Sequence, residues 1–346
     1  MKNNVQKGCD IMAATIRDVA KLANVSPSTV SRVLNDSNKI SCETKERVIK
    51  AIKKLDYHAN AIARSLANNS TKILGLIVPN EAKNLFRNPF FIKAMRGISL
   101  CAHENEYYIM YDFGSSEKEE VSLIKKYVQS KLVDGIILLT VRKNDKCIDF
   151  LKRLKYPFVV IGRPEESKGV MWVDNDNFKA MYDLVDGLIK RGAESIAFIG
   201  AAKEMNMSRD RLDGYKRALL AHGREVDEEI IVEQKSFTEE EGYTAMKKIL
   251  EVKTPSLVVT TDDLLAFGVL KLLREIGEES ISVVGFNNIP LGEYQNPPLA
   301  SVDINAEKLG YHAAKLLIDS VNKEIEKNHF IIDTFLKERE SIKLSK

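Results

Sequence analysis

A chain of 346 residues, 44% of them hydrophobic, can build two or three domains with cores of their own. Its four cysteines, Cys9, Cys42, Cys101 and Cys147, are widely scattered, which excludes a disulfide framework and a cysteine zinc site. The net charge of +3 is small, and no apolar run is long enough to be read as a membrane span.

Residues 1–14 show no periodicity and are expected to form a disordered tail, with Met12 an alternative start. Their opening, "MKNNVQKGCDIMAAT", lacks the apolar centre of a secretory signal, so a cytoplasmic protein is expected. The next segment is basic: residues 15–70 carry ten Lys and Arg against five Asp and Glu, whereas the remainder is slightly acidic. A basic head on an acidic body suits a polyanion-binding module joined to a different one, although a solvated helical surface has the same composition.

Helical periodicity begins at Thr15, a candidate N-cap, with Ile16, Val19, Ala20 and Ala23 on one face. "NVS" makes a tight turn, Ser26 is a second cap, and Pro27 stands at a first helical position, where its missing N–H costs nothing. Val30, Val33 and Leu34 form the buried stripe of this second helix. A third begins at Ser41 and turns Val48, Ile52 and Leu55 inward. Three short helices, the first two joined by a tight turn, suggest a helix-turn-helix.

Past "LDYHANAIARSLANNSTK" the period changes. Apolar runs at 73–79, 107–113, 133–140, 158–162, 196–200, 257–261 and 281–286 alternate with helical stretches, the pattern of parallel sheets covered on both faces. This body is too long for one comfortable sheet, so two α/β subdomains are expected. The chain should pass between them near "WVDND" (172–176) and return near "SVDIN" (301–305). The expected organisation is a head over 15–59, a linker over 60–71 and a body over 72–346. One lobe takes about 72–173 and 304–333, the other about 174–303 and 334–346.

The second helix buries a narrow stripe and presents Ser28, Thr29, Ser31 and Arg32 on its other side. These hydroxyls and this guanidinium suit phosphates and base edges in a major groove. A capped surface helix is the plain alternative. "TIRDVAKLANVSPSTVSRVLN", followed by "ISCETKERVIKAIKKLDYHANAIARSLA", resembles the DNA-binding head of the LacI/GalR family of bacterial repressors. The resemblance implies that Pro27 and Ser28 face base edges, while Thr29, Ser31, Arg32 and Asn35 position the helix. It adds Thr15, Tyr57, Asn60, Ala63 and Arg64 to the DNA-contact set. It also implies a hinge helix over 60–67, with Leu66 wedged between base steps in the minor groove. Family members usually carry Pro before the hinge Asn; here Ala59 stands there, leaving the connection less restricted.

The resemblance extends over the body through "NPFFIKAMRGIS", "VDNDN", "RDRLDGYKRAL" and "VVGFNN". It implies a two-lobed fold of the periplasmic-binding-protein type that holds a small-molecule effector, within the branch of maltose-operon repressors. The implied effector residues are Phe90, Phe91, Arg211, Phe237, Asp262 and Asn287, with Asn287 replacing the Asp of many relatives. Each has a structural alternative: Arg211 could pair with Asp210 or Asp213, Asp262 could cap a helix, and Phe237 could be interlobe core. No phosphate loop, nucleophile elbow or metal-ligand cluster is evident, and the five histidines, His58, His103, His222, His312 and His329, are expected on surfaces. The chain is therefore expected to be a homodimeric, sugar-responsive transcriptional repressor with no catalytic role, cofactor, metal or membrane partner. Its ligand would be maltose or a related α-glucoside, and its second partner double-stranded operator DNA. A solute-binding protein or sugar-processing enzyme without a DNA role is the alternative. The residues leave open whether the effector induces or corepresses, and whether a corepressor protein takes part.

Overall fold

The computed structural model describes residues 14–34, 39–57, 70–79, 89–324 and 326–343. The chain divides into two compact units, Met1–Thr71 and Lys72–Lys346.

The first unit holds helices α1 (Ile16–Ala23), α2 (Pro27–Leu34) and α3 (Cys42–Lys54). Thr15 closes a capping box with Asp18, and Asn24 ends α1 in the left-handed conformation that Asn tolerates. Ser26 Oγ accepts the Thr29 N–H at 3.2 Å, so Ser26 caps α2 with Pro27 at its first position. Val19, Ala20, Ala23, Val30, Val33, Val48 and Ala51 close a small core, with Ile16, Leu34, Ile52, Leu55 and Tyr57 packed around it. Residues 1–13 of the tail expected over 1–14, Asn35, and Ala59, Asn60, Ala63, Arg64 and Leu66 of the expected hinge region lie outside the described residues.

The second unit is built on two six-stranded sheets. Strands β1 (Ile73–Val78), β2 (Tyr108–Phe113), β3 (Gly135–Leu138), β4 (Phe158–Ile161) and β5 (Met171–Asp174) alternate with helices α4 (Pro89–Glu104), α5 (Glu117–Gln129) and α6 (Lys146–Leu154). The other lobe follows with α7 (Asn177–Lys190), β6 (Ile196–Ala201), α8 (Asn206–Ala221), β7 (Ile231–Gln234), α9 (Glu239–Val252), β8 (Leu257–Thr260), α10 (Asp263–Ile276), β9 (Ser282–Phe286) and β10 (Ala300–Asp303). Then come α11 (Ala306–Asn322), β11 (His329–Ile331) and β12 (Phe335–Lys337). The first sheet runs β11-β5-β4-β3-β1-β2, all parallel. The second runs β12-β10-β9-β8-β6-β7, parallel except where β12 meets β10.

All seven apolar runs are strands. The five strands not singled out, β5, β7, β10, β11 and β12, each carry a polar or charged residue within three or four positions, which leaves no unbroken apolar run to read. The chain passes between the sheets after β5, between β10 and α11, and between β11 and β12. One side chain ties these passages together: Asn175 Nδ2 donates to Ile304 O at 3.0 Å and to Ile332 O at 2.8 Å. Right-handed crossover connections place the strands' carboxyl ends on one side of each sheet, and this positions the site. His58 lies outside the described residues, and of the four described histidines one departs from expectation. His312 on α11 is half-buried, its ring 4.7 Å from that of Phe330. A polar ring suggests a surface group, but here it packs on the Phe330 ring of β11. Among the described residues no helix is long and apolar enough to cross a membrane.

Candidate functional site

On the head, α2 turns Val30 and Val33 inward and leaves Pro27, Ser28 and Arg32 exposed, with Thr29 and Ser31 half-buried. The hydroxyls of Ser28 and Thr29 both meet Ser26 Oγ, at 2.8 and 2.9 Å. They form a connected polar patch at the helix N-terminus, where the helix dipole favours an anion. Thr15 lies exposed at the start of α1, its hydroxyl donating to Asp18 Oδ2 at 2.7 Å. Tyr57 packs on the edge of the head core.

In the body, a cavity of about 810 Å³ lies where the carboxyl ends of the strands meet. Residues following β3, β4, β5, β6, β7, β8, β9 and β10 line it, and so do all six effector positions: Phe90, Phe91, Arg211, Phe237, Asp262 and Asn287. Phe90 and Phe91 stand at the N-terminus of α4 with ring centroids 5.1 Å apart, and Phe237 follows β7. Phe237 also packs against the core between the second sheet and α9 and α10, a core inside one lobe rather than between the two.

Arg211 is the centre of the polar wall. It is 2% exposed, its guanidinium lies 4.2 Å over the Phe286 ring, and Nε donates to Asn177 Oδ1 at 3.0 Å while Nη1 donates to Thr261 O at 2.6 Å. These are its partners, rather than the neighbouring Asp210 and Asp213. A buried guanidinium needs counter-charge, and the acidic groups that act on it are Asp174, Asp262, Asp263 and, without a hydrogen bond, Asp210. Burial nevertheless lowers it to about 10, still charged at neutral pH.

The carboxylates respond in the opposite direction. Burial pushes Asp174 up to about 6 although it accepts from Asn175 N–H, Arg163 N–H and Asn177 Nδ2, the last at 3.0 Å. Burial pushes Asp262 up to about 7, opposed by the Leu264 N–H, Arg211 and Asn287. Asp262 does cap α10, its Oδ1 accepting from Leu264 N at 2.7 Å, and it also accepts from Asn287 Nδ2 at 2.7 Å. Two buried side-chain oxygens beside this network, Thr261 Oγ1 and Asn287 Oδ1, have no partner among the described residues. Such groups are unfavourable unless something meets them. A wall of fixed donors and acceptors facing aromatic rings is equipped to read the hydroxyls and ring face of a small polar molecule.

The chain's similarities agree with this geometry. Residues 15–60 match the family described as bacterial regulatory proteins, lacI family, and residues 185–342 match a periplasmic binding protein-like domain. The transcriptional regulator MalR of Streptococcus pneumoniae is 38% identical over 316 residues, which cover 90% of this chain and 94% of that protein. The chain belongs to the LacI family. It is a DNA-binding transcriptional regulator, not an enzyme. The regulator CelR of Thermobifida fusca is 34% identical over 94% of this chain and 98% of its own. A solved CelR–cellobiose complex has a TM-score of 0.74 at 32% identity, covering 95% of this chain and 99% of that one. The lac repressor dimer bound to operator and the anti-inducer ONPF shares the fold, with a TM-score of 0.80 at 20% identity over 95% and 98% of the two chains.

Several residues of the LacI-family cavity carry no distinct signal of their own in the sequence. Asp174, Asn175 and Asn177 lie in the quoted "VDNDN", and a run of Asp and Asn directly after a strand was the available signal. Thr261 and Phe286, which hold Arg211 from behind the cavity wall, gave none, because both are buried at the end of an apolar run and read as core.

Proposed function

We propose that the chain is a homodimeric transcriptional repressor acting in the cytoplasm, whose body cavity binds a sugar, maltose or a related α-glucoside. The observation that carries the effector reading is the cavity itself. Arg211, Asn287, Asn177 and Asp174 form its polar wall, and Phe90, Phe91 and Phe237 its aromatic one. The names of MalR and of the CelR–cellobiose complex support a glucoside ligand. Pro27, Ser28, Thr29, Ser31, Arg32 and Asn35 would read the major groove, aided by Thr15 and Tyr57. Asn60, Ala63, Arg64 and Leu66 would engage the minor groove. Sugar binding would change how the lobes close, unpair the hinge segments and weaken operator binding.

Such coupling is reciprocal, so operator must weaken sugar binding by the same factor, typically about 5–150-fold. Calorimetric titration of maltose into protein alone and into protein saturated with operator tests this. A maltose affinity unaffected by operator would remove the mechanism, and a tighter one would make the sugar a corepressor.

A further inference from the structure

We infer that Asp262 is a positioning residue for Asn287, holding its side-chain amide so that the oxygen, not the nitrogen, is offered to a ligand hydroxyl. This rests on the cavity being an effector site and gives that site a polarity. The argument begins with what a carboxylate can do. An ionised Asp262 only accepts hydrogen bonds. One oxygen takes the Leu264 N–H at the start of α10, and the other lies 2.7 Å from Asn287 Nδ2. Asn287 must therefore turn its NH₂ toward Asp262, which leaves Oδ1 as its remaining group, buried and without a partner among the described residues.

The backbone allows little else. Asn287 has φ +100° and Asn288 φ +47°, a conformation that Asn and Asp tolerate better than other side chains. Asn287 N–H donates to Val302 O at 2.9 Å, and Asn288 N–H to Ser301 Oγ at 2.9 Å. With 6% exposure, Asn287 has almost no solvent to compete for its amide.

The arrangement reverses when Asp262 takes a proton. Its O–H would then donate to Asn287 Oδ1, the amide would turn over, and the cavity would meet NH₂ instead of oxygen. The charged groups around Asp262 keep this change within reach of neutral pH. Arg211 on α8 favours the ionised form, and burial opposes it more strongly, placing the carboxyl at about 7. Asp174 shares Arg211 from β5, and Arg339 acts on the adjacent Asp263. Asp263 itself is held by Ser301 Oγ and Ile289 N–H at 2.6 and 2.7 Å. Lys235 and Glu239 line the same cavity.

The test is calorimetric titration of maltose into the full chain from pH 6 to 8.5, for wild type, Asp262→Asn and the exchange Asp262→Asn/Asn287→Asp. Wild-type affinity should rise up to about tenfold per pH unit and level off above about 7. Asp262→Asn still caps α10 through its side-chain oxygen but offers NH₂ to Asn287, imitating the protonated state. It should bind about tenfold more weakly at pH 8 and lose the step near 7, keeping only the lower one from Asp174. In the exchange, the amide now at position 262 donates to the carboxylate now at position 287. The second oxygen of that carboxylate replaces the lost acceptor, so most of the affinity at pH 8 should return. Operator binding and a single cooperative thermal transition confirm folding of each variant. Asp262→Asn matching wild type at pH 8, or an exchange no better than the single variant, overturns the inference alone. If wild type takes up no α-glucoside at any pH, the effector reading falls and this inference with it.

Discussion

At the scale of single residues, Arg211 and the carboxyl groups around it form one buried charge balance. Removing its guanidinium should abolish the response to sugar while operator binding persists, because the head folds around a core of its own. A gel shift of Arg211→Ala with and without maltose checks this, and normal induction would remove Arg211 from the pocket. The carboxylates make a second prediction. Asp174 and Asp262 rise in the folded state from 3.8 to about 6 and about 7, so folding favours their protonated forms. That contribution is fully present below about 4 and is lost as pH rises through 6 to 7. The body's melting temperature should therefore fall between pH 5 and pH 8, and Asp262→Asn should flatten the upper part of the fall.

At the scale of elements, close helix crossings and the lobe passages matter most. A Cβ built on Gly97 of α4 would stand 1.9 Å from Glu307 O in α11, whereas one on Gly187 of α7 meets nothing within 4 Å. Gly97→Ala should cost about 1–3 kcal/mol by overpacking, a fall of several degrees in a body of this size. Gly187→Ala should instead gain about 0.5–1 kcal/mol, because it only removes backbone freedom from the unfolded chain. Scanning calorimetry of the pair gives opposite signs if the crossing is as tight as described. Asn175 belongs to the same scale, since its amide bonds two of the three passages from within the third. Asn175→Ala should weaken the coupling between sugar and operator more than it weakens either binding alone. Maltose affinities with and without operator supply that comparison.

At the scale of the whole molecule, the division into Met1–Thr71 and Lys72–Lys346 separates DNA reading from ligand sensing. A protein beginning at residue 72 should keep maltose affinity, because the cavity is lined entirely from within the second unit. It should lose specific operator binding altogether, and a gel shift showing retained specificity would end the repressor reading. In the full chain, Leu66→Ala should reduce specific operator affinity much more than nonspecific binding, because a wedge contributes only on a kinked site. Equal losses in competition assays would refute the wedge.

The head is local in origin, and its sequence carried almost all of it. Thr15, Ser26 and Ser41 act as caps within their own turns, and the Val and Ala spacing of α1 to α3 needs no distant partner to be read. The alternation of seven apolar strands with helices likewise announced two parallel sheets. The short strands β5, β7, β10, β11 and β12 were beyond that reading, because a polar residue breaks each apolar run and only pairing with a neighbouring strand makes it a strand. The same holds for the cavity. The family resemblance implied Arg211, Asp262 and Asn287, but their hydrogen bonds join residues that are 25, 34 and 50 positions apart. Only the folded lobes decide that Arg211 passes over its neighbours Asp210 and Asp213 for Asn177 and Thr261, and that Asp262 both caps a helix and turns an amide. Composition and periodicity fix what lies on each face of an element. Desolvation and hydrogen-bond pairing exist only once those faces meet, and they give the buried charges their roles.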